Sequence, residues 1–151
     1  MFCFNANLIK KATVKIGDNE VKVAVAHGLA NAQKIMEEIK STRDYKETVV
    51  KRNLLDEIIS AGNGAIDNHG LSIVLFEDGD ATKHKLEGKA GYFGKFIGAP
   101  HYIAVLSDDG KKSKEDAAYM MEMMRFKAHD QGLGSCWITI PDNDDIKDEL
   151  S

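Results

Sequence analysis

The chain has 151 residues, 43% of them hydrophobic and 29% charged, so it is long enough for one ordinary globular core. Its formal net charge of −4 leaves no basic excess to neutralise phosphates along a nucleic acid, and no stretch is apolar enough to span a membrane. Two cysteines, Cys3 and Cys136, form no Cys-x-x-Cys or Cys/His cluster, so no zinc or iron–sulfur site is expected and a reducing, cytoplasmic location is.

The first residues, Met1 to Ile9, are too short and polar for a secretory segment. Alternation in Thr13-Val14-Lys15-Ile16 and Val21-Lys22-Val23-Ala24-Val25, around the turn cluster Gly17-Asp18-Asn19-Glu20, predicts a β-hairpin. A helix follows from about Leu29 to Lys40, then a polar stretch from Ser41 to Glu47. A second helix over Lys51 to Ser60 places Leu54, Leu55, Ile58 and Ile59 on one face, with Gly62-Asn63-Gly64 as its stop. Leu71 to Phe76 reads as a strand buried on both faces. Residues from Ala81 begin helical and become irregular around Gly91 and Gly94. Ala99-Pro100 introduces a strand from His101 to Leu106. Ser113 is placed to cap a long helix with a core stripe of Ala117, Met120, Met121, Met124 and Ala128, ended by Gln131-Gly132. A strand from Ser135 to Ile140 and a helix from Asp144 to Leu150 complete the order. The pattern fits α+β, a mixed sheet flanked by helices, rather than a doubly wound parallel sheet.

Gly132-Leu133-Gly134-Ser135-Cys136-Trp137-Ile138 is the most informative stretch. It has two readings: helix stop, strand entry and core, or small residues that let backbone approach a flat ligand. With its preceding helix it resembles the nitroreductase segment that runs beside the isoalloxazine ring of FMN. Gly98-Ala99-Pro100-His101-Tyr102 and Asp145 to Leu150 are similar to that family's strand entry and following helix. Lys40-Ser41-Thr42-Arg43-Asp44-Tyr45 resembles the motif that holds the FMN phosphate, for which a guanidinium and a hydroxyl are suited. A solvated helix end is the plainer reading of the same residues. Asn63 to Leu71 is a weaker likeness to the loop at the flavin's pyrimidine edge, with Asp67 and His69 at its polar positions; it also reads as a surface turn.

The resemblance implies an FMN-dependent NAD(P)H oxidoreductase, a homodimer that reduces nitroaromatic, quinone or similar small acceptors. It implies Lys40, Ser41 and Arg43 at the phosphate, Asp67 and His69 at the ring's polar edge, and the backbone of Cys136, Trp137, Ile138 and Thr139 along the ring. No side chain is assigned as a catalytic acid or base, since flavin N5 carries the hydride, and no metal is implied. Ile39 in place of a basic residue, Gly70-Leu71, Thr139 in place of glycine, and a short C-terminus point instead to an accessory domain without FMN. Thr13 to Tyr45 resembles part of the iron-only hydrogenase catalytic subunit. It lacks the cluster cysteines of that family, which leaves a borrowed module or a redox-partner contact as its reading, with a hydrogenase-related electron-transfer component as a further alternative for the chain. The expected organisation is therefore a hairpin/helix module over 1–34 and a flavin domain over 35–151.

Overall fold

The computed structural model describes residues 2–6, 33–67, 70–107, 113–141 and 144–150. The hairpin read between Thr13 and Val25 lies outside them, as does the start of the first helix, of which residues 33–38 are helical. Strand β1 (Phe2–Ala6) is followed by α1 (Arg52–Asn63), β2 (Leu71–Phe76), α2 (Gly79–Leu86), β3 (His101–Ser107), α3 (Ser113–Asp130), β4 (Leu133–Trp137) and α4 (Asp144–Leu150). The fold is α+β, with a small sheet between helices.

The sheet order is β2-β3-β1-β4, and its three strand pairs are antiparallel. A parallel component enters through an isolated bridge between Ser41 and Ser135. The sequence reading did not expect β1, which sits between β3 and β4 with Cys3 opposite Tyr102 on one side and Cys136 on the other. Five residues carry too short a pattern to announce a strand; their pairing is supplied by two neighbours distant in sequence.

Successive strand residues face opposite sides of a sheet, and β3 uses both. Ile103 joins Val50, Leu55, Ile58, Met121, Met124, Ala128 and Leu133 in the core under α1 and α3. Its neighbour Tyr102 joins Leu86, Ala90, Phe96, Cys136, Ile146 and Leu150 in the core under α2 and α4. The methionine stripe of α3 is thus core, while Ala117 is half-buried. α3 begins at Ser113, so the position before it lies outside the described residues.

Two local expectations change. β2 is an edge strand, only partly buried and with Ser72 exposed, so it is not covered on both faces. The expected stop of α1 at Gly62-Asn63-Gly64 holds at its last residue: Gly64 closes the helix through an N–H bond to the Ser60 carbonyl at 2.9 Å, while Gly62 is buried within the helix facing Ile73 and Met124. The strand expected from Ser135 begins at Leu133, after Gly132 has ended α3 with φ at 77°. Among the described residues no helix is long and apolar enough to cross a membrane.

The entry to β3 is fixed by close backbone contact. Gly79 opens α2 and donates its N–H to the Pro100 carbonyl at 3.1 Å. A Cβ there would lie 1.8 Å from the Ala99 carbonyl oxygen, on backbone that has no side-chain freedom to yield. The Tyr102 hydroxyl completes the corner, donating to the Ile97 carbonyl at 2.7 Å and accepting from the Ala99 N–H at 2.9 Å. We expect Gly79→Ala to lower unfolding stability by about 2 kcal/mol or more in denaturant melts, the scale of a forced overpacking; an unchanged midpoint would contradict this corner.

Candidate functional site

Residues 39–50 form an irregular strap that crosses from helical residues 33–38 to α1. Near its start, Ser41 bridges Ser135 and the Thr42 N–H donates to the Ser135 carbonyl at 2.9 Å. The strap can lie this close because the facing residue is Gly134: a Cβ there would stand 2.6 Å from Thr42 Oγ1. The contact encloses a cavity of about 130 Å³ lined by Glu38, Ile39, Lys40, Thr42, His129 and Gly132 to Ser135. His129 Nε2 lies 3.6 Å from a Glu38 carboxylate oxygen.

Of the three residues assigned to a phosphate, the structure sets Lys40 in this cavity and Ser41 against Ser135 of β4, while Arg43 follows on the strap outside the cavity lining. Lys40, Ser41 and Arg43 are all exposed. Neither Lys40 nor Arg43 takes part in an ion pair among the described residues, whereas Lys34, Arg52, Lys89, Arg125 and Lys127 do. Two cations without a carboxylate partner, beside a hydroxyl and a close glycine, are the donor set that a phosphate dianion needs. On this chemistry the residues present fit the phosphate of FMN. Thr42, Gly134, Ser135 and His129 were not assigned to this site from the sequence. The glycine was the available signal, but its reason, an approach by a segment far away in the chain, is not local.

Along β4, Cys136 and Ile138 are buried, while Trp137 is 39% exposed. The indole N–H of Trp137 donates to Glu122 at 2.8 Å, and Glu122 also accepts from Arg125 at 3.1 Å, so the ring is held against α3. Thr139 is exposed and its carbonyl accepts from the Gly91 N–H at 2.9 Å. Asp67 is exposed beyond the turn that follows α1, and His69 lies outside the described residues.

A larger cavity, about 560 Å³, lies between the far half of the strap and the α2 corner. Its walls carry Glu47, Glu77, Asp78 and Asp80 against a single Lys46, which makes it unfavourable for a phosphate. Size alone is thus a poor guide; the smaller cavity carries Lys40 against Glu38 and lacks the acidic excess of the larger one. No group of three or more potential metal-ligating side chains occurs among the described residues. Beside the acidic cavity, His101 is 2% exposed and accepts from the Val50 N–H through Nε2 at 3.0 Å. Burial pushes its pKa below the ordinary 6.5, against a smaller upward pull from the Glu77 backbone and carboxylate.

With this geometry in place, the comparisons are specific. A family model described as "Putative TM nitroreductase" matches residues 31–150. A second, "Iron only hydrogenase large subunit, C-terminal domain", matches residues 3–50. No curated protein matches significantly. Among solved structures, the chain is similar to an FMN-dependent nitroreductase from Clostridium difficile R20291, at 28% identity and a TM-score of 0.56 over 74% of this chain and 68% of that one. It is also similar to a nitroreductase family protein from Clostridium difficile 630, at 22% identity and a TM-score of 0.65 over 77% and 72%. A third, named as a putative NADH dehydrogenase/NAD(P)H nitroreductase from Bacteroides thetaiotaomicron VPI-5482, gives 23% identity and 0.59 over 70% and 66%. The matched region is thus just under two thirds of that last protein's length.

If Gly134 is what lets the strap close on β4, Gly134→Ala must push Thr42 away. We expect it to cost about 1–3 kcal/mol and to speed amide exchange at Thr42. Retention of the wild-type exchange rate would show that the strap is held by other means.

Proposed function

The chain belongs to this nitroreductase family, and from that membership and the strap's pairing with β4 we propose that it is an FMN-dependent oxidoreductase using NAD(P)H. The single observation that carries the reading is the pairing of Ser41 and Thr42 with Ser135, which sets Lys40 and Arg43 beside the strand assigned to the flavin ring. When bound, FMN would supply two-electron chemistry between a pyridine nucleotide and a nitroaromatic, quinone or similar acceptor.

The chain's own residues hold and orient. Lys40 and Arg43 neutralise the phosphate, with Arg43 able to present two parallel N–H donors, and the Ser41 hydroxyl adds a third contact. The backbone from Cys136 to Thr139 would hold the ring, with Cys136 and Ile138 fixed in the core. Glu122 holds Trp137 in one orientation beside that segment. Asp67 and His69 serve the ring's polar edge in this reading. No catalytic acid or base is assigned, since the acceptors named can take protons from water.

The same proposal makes the protein a cytoplasmic homodimer. Support for self-association comes from α3, which buries Met120, Met121 and Met124 yet exposes Tyr119 at 52%, beside a β4 that exposes Trp137. Residues 1–34 are read as a distinct module and a redox-partner contact, supported by the hydrogenase match over 3–50, although residues 2–6 lie within the sheet. A second reading, an accessory domain without FMN, is favoured by the acidic character of the larger cavity.

The visible absorption spectrum separates the two. Protein reconstituted with FMN and gel-filtered should retain oxidised-flavin bands that NAD(P)H bleaches; protein that elutes colourless fails the first reading. Within it, Arg43→Ala should weaken FMN binding by about ten- to a hundredfold, the cost of a lost charged hydrogen bond, and Lys40→Ala by less.

A further inference from the structure

The strap that carries Ser41 and Arg43 is held at both ends. Its near end is the Thr42 bond to Ser135, and its far end is the Val50 N–H bond to His101 Nε2 at 3.0 Å. Between them only Tyr45 is partly buried, packed on the α2/α4 core, while residues 43–44 and 46–49 are exposed. Of these two pins, the far one is titratable. Because Nε2 accepts, the neutral ring carries its proton on Nδ1, which makes no hydrogen bond of good geometry. A second proton can only go to Nε2, where it displaces the Val50 N–H, since two donors then face each other.

We propose that His101 is a positioning residue for the cofactor segment: its neutral imidazole pins the strap, and protonation releases it, so that FMN affinity falls in acid. This rests on the phosphate reading given above. It concerns a residue that reading leaves unused.

Burial, against the pull of the charged surroundings, favours the neutral pin at physiological pH. Continuing the β2–β3 register beyond Phe76–Tyr102 sets Glu77 opposite His101, and it is the charged group whose field acts on the ring. Asp78 and Asp80 stand at the start of α2, Lys46 and Glu47 along the strap, Lys51 at the N-cap of α1, and Arg52 and Asp56 on α1; the β1 residue opposite is the uncharged Phe4. Burial outweighs the pull of Glu77, which holds the native pKa below 6.5. The unfolded chain, with an ordinary imidazole, therefore takes the proton first as pH falls. Stability declines below about pH 6.5 and levels off below the native value.

The test follows the Val50 amide and the His101 ring by NMR between pH 7.5 and 5.5, and measures FMN affinity at both ends for wild type and His101→Gln. Glutamine keeps an acceptor for Val50 without titrating. The FMN phosphate itself titrates in both proteins, so only the difference between them reports on His101. We expect the Val50 amide to move with the His101 midpoint. We also expect acid to weaken FMN binding about fivefold more in wild type than in His101→Gln, the worth of one net hydrogen bond. A Val50 amide that ignores the His101 titration while FMN binds, or equal acid sensitivity in the two proteins, overturns this inference alone. A Val50 amide that tracks His101 in a protein that binds no FMN at pH 7.5 overturns the cofactor reading and the positioning role with it.

Discussion

The pairing of the strap with Ser135 is the contact on which the site depends. A polar stretch with no periodicity of its own is fixed because Thr42 can reach a strand carbonyl past a glycine. Without that approach Lys40 and Arg43 would be two solvated cations at a helix end, each worth little in water. With it Lys40 lines a small cavity with the first residues of β4, and Arg43 follows three residues later on the exposed strap. The electrostatics follow from a steric allowance.

Sheet topology then carries the arrangement. β3 is buried on both faces and sends Tyr102 and Ile103 into different cores, so helices on opposite sides are tied through adjacent residues. β4 lies at one edge, with β1 on one side and the Ser41 bridge on the other. The segment read as flavin-facing is therefore anchored by Cys136 and Ile138 while Trp137 and Thr139 remain accessible. Such an alternation suits a strand that holds a ligand with its exposed side and backbone while its other side belongs to the core.

The elements that were legible in the sequence are those whose signal is contiguous. The apolar run at His101, the helical methionine spacing of α3 and the glycine after Gln131 each act within a few residues, and the structure places strand, helix and stop there. What was not legible depends on partners far away in the chain. β1 has no pattern until β3 and β4 flank it, and Gly62 looks like a stop until Ile73 and Met124 show why a side chain is absent. Ser41 and Arg43 could be named from a motif, but the role of Gly134 and Ser135 beside them could not. His101 read as an ordinary strand residue, because its bond to Val50 spans two elements.

The central claim is that Lys40, Ser41 and Arg43 form a phosphate-binding group. Its most direct measurement compares the affinities of FMN and riboflavin for the same protein by flavin fluorescence, since the two ligands differ only in that phosphate. The account requires FMN to bind at least about tenfold more tightly, the value of one charge-assisted hydrogen bond, with the advantage shrinking as salt is raised. Equal affinities for the two flavins, unaffected by salt, would contradict it.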